Sequence, residues 1–308
     1  MDPLAFAFPV PGGVSAFAKS LVQAVPCETG EWECRRFPDG ETYVRYLTPV
    51  KDRDVVLICA LDNPDGKIMP VYLAAKTAHE LGARRVGLVI PYLPYMRQDA
   101  RFQEGEGITS RHFAALISSC CDWLVTVDPH LHRHHDMDEI YTVPSRVVHA
   151  APAIAAWISS NVPRPIVIGP DEESGQWVRD VADLAGCPYL VLKKTRHGDR
   201  DVEVSEPVLP DGDALQPVIL DDIVSTGSTM VTAIEELQRR SRRQPVCIAV
   251  HPLLVEDAYA ALLTAGIDRL VSCNTVVHRT NRIDLAPSVA KAVLALLEEL
   301  RTGMPLPP

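Results

Sequence analysis

The feature that most constrains this chain is a rhythm: short, unbroken apolar runs alternating with stretches of helical period. Runs at 54–61 (DVVLICAL), 85–91 (RVGLVIP) and 123–127 (WLVTV) read as strands, and 70–81 and 110–119 read as helices between them. A strand with no polar alternation is buried on both faces. Parallel strands with helices packed on each side provide that burial. After Pro144 the rhythm restarts. Strands are predicted at 165–168, 188–192, 217–220, 246–250 and 269–271, and helices at 150–159, 174–185, 230–240, 255–263 and 287–300. The expectation is an α/β protein of two tandem domains, 1–146 and 147–308, each a mainly parallel sheet flanked by helices. The last helix is free to pack back on the first domain. A chain of 308 residues is long enough for two such cores.

Composition narrows the function classes. Apolar residues make up 47% and charged residues 23%, the balance of a globular protein. A net charge of −10 argues against nucleic acid or an anionic membrane surface as partner. No apolar run is long enough to span a bilayer. The opening MDPLAFAFPVPGG carries no basic region, so no secretory leader is expected. Eight cysteines are scattered without a CxxC pair, so neither a zinc knuckle nor a dithiol redox motif is indicated. Several lie inside apolar runs, which predicts buried reduced thiols and a cytoplasmic protein.

The stretch VILDDIVSTGSTM, 218–230, carries the most chemistry. An apolar run leads into Asp221 and Asp222, then into a turn of Ser225, Thr226, Gly227, Ser228 and Thr229, then into a helical pattern. Backbone N–H groups and hydroxyls in such a turn hold a phosphate, and the helix dipole favours its charge. Two adjacent carboxylates would repel that phosphate, so they face a cation or sugar hydroxyls. Hydroxyl binders four residues from phosphate binders describe one ligand, a ribose 5-phosphate.

Other motifs fall after predicted strands, where ligands collect in open α/β sheets. Phe37, Asp39 and Glu41 stand in FPDGE, which also reads as an ordinary turn. Arg97, Gln98 and Asp99 open a polar segment too long for a simple connector. His130 lies in VDPHLHRHHD, which superficially resembles a binuclear zinc motif but suits a single magnesium contact better. Asp171 lies in GPDEESG, either a helix cap or a ligand. Lys194 and Arg196 belong to KKTRHGDR, a basic loop that reads either as solvated surface or as a lid over phosphates.

In this order the motifs resemble the ribose-phosphate diphosphokinases, the synthetases of 5-phosphoribosyl 1-diphosphate (PRPP), and the resemblance covers nearly the whole chain. It implies a phosphoribosyltransferase-like fold in both domains and the transfer of a diphosphoryl group from ATP to ribose 5-phosphate. It implies ATP binding by Phe37, Asp39, Glu41, Arg97, Gln98 and Asp99, and Mg2+ binding by His130 and Asp171. It places Asp221 and Asp222 on the sugar, residues 225–229 on its phosphate, and Lys194 and Arg196 as the cations of the transition state. It also implies a homo-oligomer. Two other readings share some of these residues: a phosphoribosyltransferase that consumes PRPP, and a non-catalytic homologue that regulates synthetase subunits.

Overall fold

The structure is a computed structural model. It describes every residue except 1, 11, 12, 14, 132, 135, 193, 198–200, 205–213, 240 and 304–308, with backbone alone for 194–197 and 201–204. The chain forms two compact units, Met1–Val148 with Ala286–Pro308, and His149–Leu285.

Unit 1 contains β1 (Leu4–Ala7), α1 (Ala16–Ala24), β2 (Glu28–Thr29), β3 (Trp32–Arg36), β4 (Thr42–Tyr46), β5 (Asp54–Ile58), α2 (Asp65–Glu80), β6 (Arg85–Ile90), α3 (Thr109–Ser118), β7 (Trp123–Val127) and β8 (Ser145–Val148). Its main sheet is parallel, in the order β2-β1-β5-β6-β7-β8. β5 and β7 are buried along their whole length, as their unbroken apolar runs require. β3 and β4 form a separate antiparallel hairpin.

Unit 2 contains α4 (Ala151–Asn161), β9 (Pro165–Gly169), α5 (Gly175–Ala185), β10 (Tyr189–Val191), β11 (Lys194–His197), β12 (Asp201–Val204), β13 (Gln216–Val224), α6 (Ser228–Gln238), β14 (Val246–Pro252), α7 (Ala258–Thr264), β15 (Arg269–Cys273) and β16 (Asn281–Ile283). Its main sheet is again parallel, in the order β10-β9-β13-β14-β15-β16. The final helix, α8 (Ala286–Thr302), belongs to unit 1. There Arg146 pairs with Glu299 at 2.6 Å and the Arg85 guanidinium donates to the Leu300 carbonyl at 2.5 Å.

Three local features differ from the sequence pattern, each for a physical reason. The helix expected from Pro70 starts at Asp65 and holds Pro70 in its interior. Proline has no N–H to give to the carbonyl four residues back. That carbonyl belongs to Gly66, and Arg36 Nη2 donates to it at 2.5 Å instead. The strand expected to end at Leu220 continues through Asp221 and Asp222 to Val224, because β14 is long enough to pair with it, Ile223 opposite His251. The basic segment expected as a loop contains β11, which pairs antiparallel with β12, Lys194 opposite Val204 and Arg196 opposite Val202.

Candidate functional site

Both sheets reverse direction. From β9 the chain passes through α5 to β10 on one side, then returns to place β13 on the other. Such a reversal opens a crevice at the carboxyl ends of the two central strands. In unit 2 the residues at that crevice are Asp171, which follows β9, and Asp221, Asp222 and the turn that follow along β13.

The β9 side is a tight turn into α5. Ser174 Oγ donates to the Asp171 carbonyl at 2.6 Å, and the Ser174 N–H donates to Asp171 Oδ1 at 3.2 Å. Gly169 is needed there, since a Cβ would stand 2.3 Å from Ser174 Oγ. On the β13 side, the Asp222 N–H donates to Asp221 Oδ1 at 3.0 Å and the Ile223 N–H to Asp222 Oδ1 at 2.7 Å.

Lost hydration, then the charge of Asp222, then that of Asp171, push the Asp221 carboxyl well above the usual carboxylate range. Asp171 and Asp221 are 50 positions apart in sequence, yet the charge of Asp171 bears on Asp221. Neighbouring β9 and β13 bring them together, with Ile168 opposite Ile219. Three carboxylates in one crevice attract a cation or donors such as sugar hydroxyls.

The turn beyond β13 has the form expected for an anion. Gly227 adopts φ +75°, a left-handed conformation that glycine accepts without strain. α6 then begins at Ser228 with no side chain capping its first N–H groups. Thr226 Oγ1 and Ser228 Oγ lie 3.2 Å apart. The brace beneath this turn has no signal in the local sequence pattern. The Leu254 N–H donates to the Val224 carbonyl at 2.9 Å and the Val255 N–H to the Ser225 carbonyl at 3.2 Å. Lys194 and Arg196 lie in β11, and their side chains are outside the described residues.

Unit 1 holds the remaining candidates in two places. Arg97, Gln98 and Asp99 follow β6, and His130 follows β7. Asp99 is buried and accepts from Arg133 Nη1 at 2.6 Å, which ties the two loops together. The Arg133 guanidinium also lies 5.2 Å from the centre of the Phe102 ring, which is 61% exposed. Arg133 is not among the residues that the motifs mark. Its only sequence signal is a cation three residues beyond His130. The loop is further folded on Glu106, whose Oε2 accepts from the N–H groups of Phe102 and Gln103 at 2.8 and 3.1 Å.

Phe37, Asp39 and Glu41 occupy the exposed turn of the β3–β4 hairpin. The Phe37 N–H donates to the Glu41 carbonyl at 2.7 Å, and Gly40 supplies the positive φ of +96°. The Arg35 guanidinium lies over both the Phe37 and Tyr43 rings, at 5.1 and 4.3 Å. Among the described residues, no hydrogen bond or ion pair joins this turn to residues 97–99.

Comparison with known proteins adds three findings. The family description "N-terminal domain of ribose phosphate pyrophosphokinase" matches residues 13–120, and "phosphoribosyl transferase domain" matches residues 136–278. The chain is similar to the ribose-phosphate pyrophosphokinase of Sulfolobus acidocaldarius, 31% identical over 268 residues, covering 85% of this chain and 91% of the relative. It is likewise similar to that of Methanothermobacter thermautotrophicus, 33% identical over 259 residues, covering 84% and 89%. In fold it is similar to the phosphoribosylpyrophosphate synthetase of Mycobacterium smegmatis, with a TM-score of 0.83 and 22% identity over 97% of this chain and 100% of that one.

Proposed function

The chain belongs to the ribose-phosphate pyrophosphokinase family, and we propose from that premise how its residues share the reaction. The enzyme transfers the β,γ-diphosphoryl group of ATP to the 1-hydroxyl of ribose 5-phosphate, giving PRPP and AMP. The hydroxyl oxygen bonds to the β-phosphorus, the bond to the α–β bridging oxygen breaks, and the hydroxyl proton leaves. No protein nucleophile is required. Catalysis is positioning and charge stabilisation.

The observation that carries the assignment is the unit 2 crevice. Asp221, with Asp222 and Asp171 acting on it, stands on one side of a glycine turn, and an uncapped helix N-terminus stands on the other. Asp221 and Asp222 accept from the 2- and 3-hydroxyls of the sugar. Ser225, Thr226, Gly227, Ser228 and Thr229 hold its phosphate. Burial and the charges of Asp222 and Asp171 let Asp221 hold its proton more readily than an ordinary aspartate, so it meets a sugar hydroxyl with little repulsion.

A magnesium ion fits this chemistry. The donors are oxygens, and a cation relieves the repulsion that raises the Asp221 carboxyl. Among the described residues no ready-made cluster of three ligands exists. Mg2+ keeps several waters and binds through one or two carboxylates together with substrate phosphates. Asp171 in unit 2 and, separately, His130 in unit 1 are proposed magnesium contacts, each within its own unit. When bound, the ion neutralises charge on the triphosphate.

Lys194 and Arg196 are proposed to neutralise the diphosphoryl group in transit, and Arg97, Gln98 and Asp99 to bind ATP. Phe37, Asp39 and Glu41 stand apart on an exposed hairpin, which suits delivery to the ATP site of a second copy and hence a homo-oligomer. All eight cysteines are free thiols, in keeping with a cytoplasmic enzyme. Among the described residues no helix is long and apolar enough to cross a membrane.

The decisive test is incubation of the purified protein with Mg-ATP and ribose 5-phosphate and no nucleobase. AMP and PRPP are expected in equal amounts. A protein that releases AMP only when a base and PRPP are supplied is a transferase. One that forms neither product is a non-catalytic homologue. Either result overturns the assignment.

A further inference from the structure

The strand order of unit 1 contains the same reversal as that of unit 2. β1 lies between β2 and β5, so the chain leaves β1 to one side and returns on the other. The crevice equivalent to that of unit 2 lies at the carboxyl ends of β1 and β5, in front of α2. A cavity of about 200 Å3 is found there. Phe8, which follows β1, and Cys59 and Leu61, which follow β5, give it an apolar side. Arg35 and Arg36 from β3 and Lys67 from the first turn of α2 give it a cationic side. Its lining contains no carboxylate.

We propose that this cavity is a second ligand site, which takes a phosphate monoester with its phosphate against Arg35, Arg36 and Lys67. Three cations line one small cavity in a chain whose net charge is −10. Each cation has donors to spare. Arg35 lies over ring faces, which leaves its N–H edge unused by that contact. Arg36 commits one N–H to the Gly66 carbonyl. Lys67 meets Asp62 at 2.8 Å with one of three N–H groups.

Size selects a compact ligand. The cavity is below the roughly 300 Å3 at which drug-sized pockets begin, so a nucleoside triphosphate would not fit. The Cys59 side suits the carbon skeleton of a small sugar. Unit 2 meets its sugar with Asp221 and Asp222, whereas unit 1 has Cys59 and Ala60 at that strand end. Binding there would need no metal ion.

Cys34 lines the same cavity and reports on it. Its burial raises the thiol pKa, so alkylation is followed at alkaline pH. The experiment measures iodoacetamide labelling of Cys34 by peptide mapping, with inorganic phosphate or ribose 5-phosphate as the probe. Cys27, in the same unit and outside the cavity, is the internal control.

For a site with a Kd of about 1 mM, about 10 mM ligand is expected to slow Cys34 labelling about tenfold and leave Cys27 unchanged. Lys67→Gln should abolish that protection, and Arg35→Gln is a second variant should the first not fold, judged by its thermal unfolding. Asp222→Ala, which disables sugar binding in unit 2, should retain it. Protection by phosphate alone supports the anion subsite, and protection by ribose 5-phosphate only adds a share for the sugar. Three results each overturn the proposal: labelling unaffected by either probe, protection undiminished in the cation variants, or protection lost in Asp222→Ala.

Discussion

The crevice of unit 2 is bordered by Asp171, Asp221 and Asp222, while the equivalent crevice of unit 1 is bordered by Phe8, Cys59 and Leu61. The two sheets share a strand order, and both crevices open onto a helix N-terminus. Their chemistry differs because the strands end differently. β13 runs nine residues and carries its carboxylates inside the ladder, whereas β5 runs five and stops before Cys59. Topology thus supplies a binding place twice, and the side chains at the strand ends decide what each place can hold. Acidic residues suit a cation and hydroxyls. Thiol and aliphatic residues faced by arginines suit an anion with an apolar body.

The largest effect should come from the cations assigned to the unit 2 reaction. Lys194→Ala is expected to lower kcat by about 100-fold or more, the scale of losing a charge contact made in the transition state. Steady-state AMP formation at saturating substrates measures it. An unchanged kcat would remove Lys194 from the mechanism and leave Arg196 as the cation proposed for the unit 2 reaction.

A smaller effect is expected in the unit 1 loops that the family resemblance assigns to ATP. Asp99 is buried, and Arg133 is its partner at 2.6 Å. Arg133→Ala leaves that carboxylate without its guanidinium and leaves Phe102 without its stacked cation. The KM for ATP should rise about tenfold, equivalent to about 1.4 kcal/mol, while the KM for ribose 5-phosphate moves little. Equal rises in both constants would mean that Arg133 supports the fold at large rather than the ATP loops.

How far the sequence foretold this can be read from the same residues. β5, β7 and β14 were legible because burial on both faces leaves no polar alternation. β1 is only four residues long and offers no period to read, whereas β3, WECRR, alternates and reads as the strand-like stretch before the FPDGE turn. The Asp221 and Asp222 pair was legible as chemistry but not as strand, because two carboxylates resemble a turn until β14 is seen to pair with them. The coupling of Asp171 to Asp221, the Arg133–Asp99 bond and the Arg36–Gly66 bond each join segments far apart in sequence. Local pattern cannot reveal such pairs. They follow from which strands and loops become neighbours.

The acidity of the unit 2 crevice has a consequence for stability. The Asp221 carboxyl has a raised pKa in the folded protein, through lost hydration, Asp222 and Asp171. Below the unfolded pKa, about 3.9, the group is protonated in both states and costs nothing. As pH rises, the unfolded chain releases this proton first, so the folded state loses stability until its own raised pKa is passed. Asp221→Asn removes that penalty. Its Tm at pH 7 should exceed that of the parent by about 2–4 °C, the shift that about 1 kcal/mol produces in a domain of this size. The gain should vanish near pH 3. A Tm that is lower at pH 7, or a gain independent of pH, would show that the aspartate cluster is not under electrostatic strain.

The smallest effect concerns the wall of the unit 1 cavity. Pro70 has no N–H for the Gly66 carbonyl, and Arg36 fills that vacancy at 2.5 Å. Gly66 is exposed, so water can partly replace the guanidinium when it is removed. Arg36→Met should therefore cost only about 0.5–1 kcal/mol, the range of an ordinary hydrogen bond. Pro70→Ala restores the missing N–H and lets α2 close its own ladder. In that background the Gly66 carbonyl already has a partner, and Arg36→Met should cost less. Denaturant unfolding of the two single variants and the double variant measures the coupling. Strictly additive costs would mean that Arg36 does not compensate for the proline. The guanidinium would then stand at the cavity for its charge alone, which would sharpen the contrast with the carboxylates of unit 2.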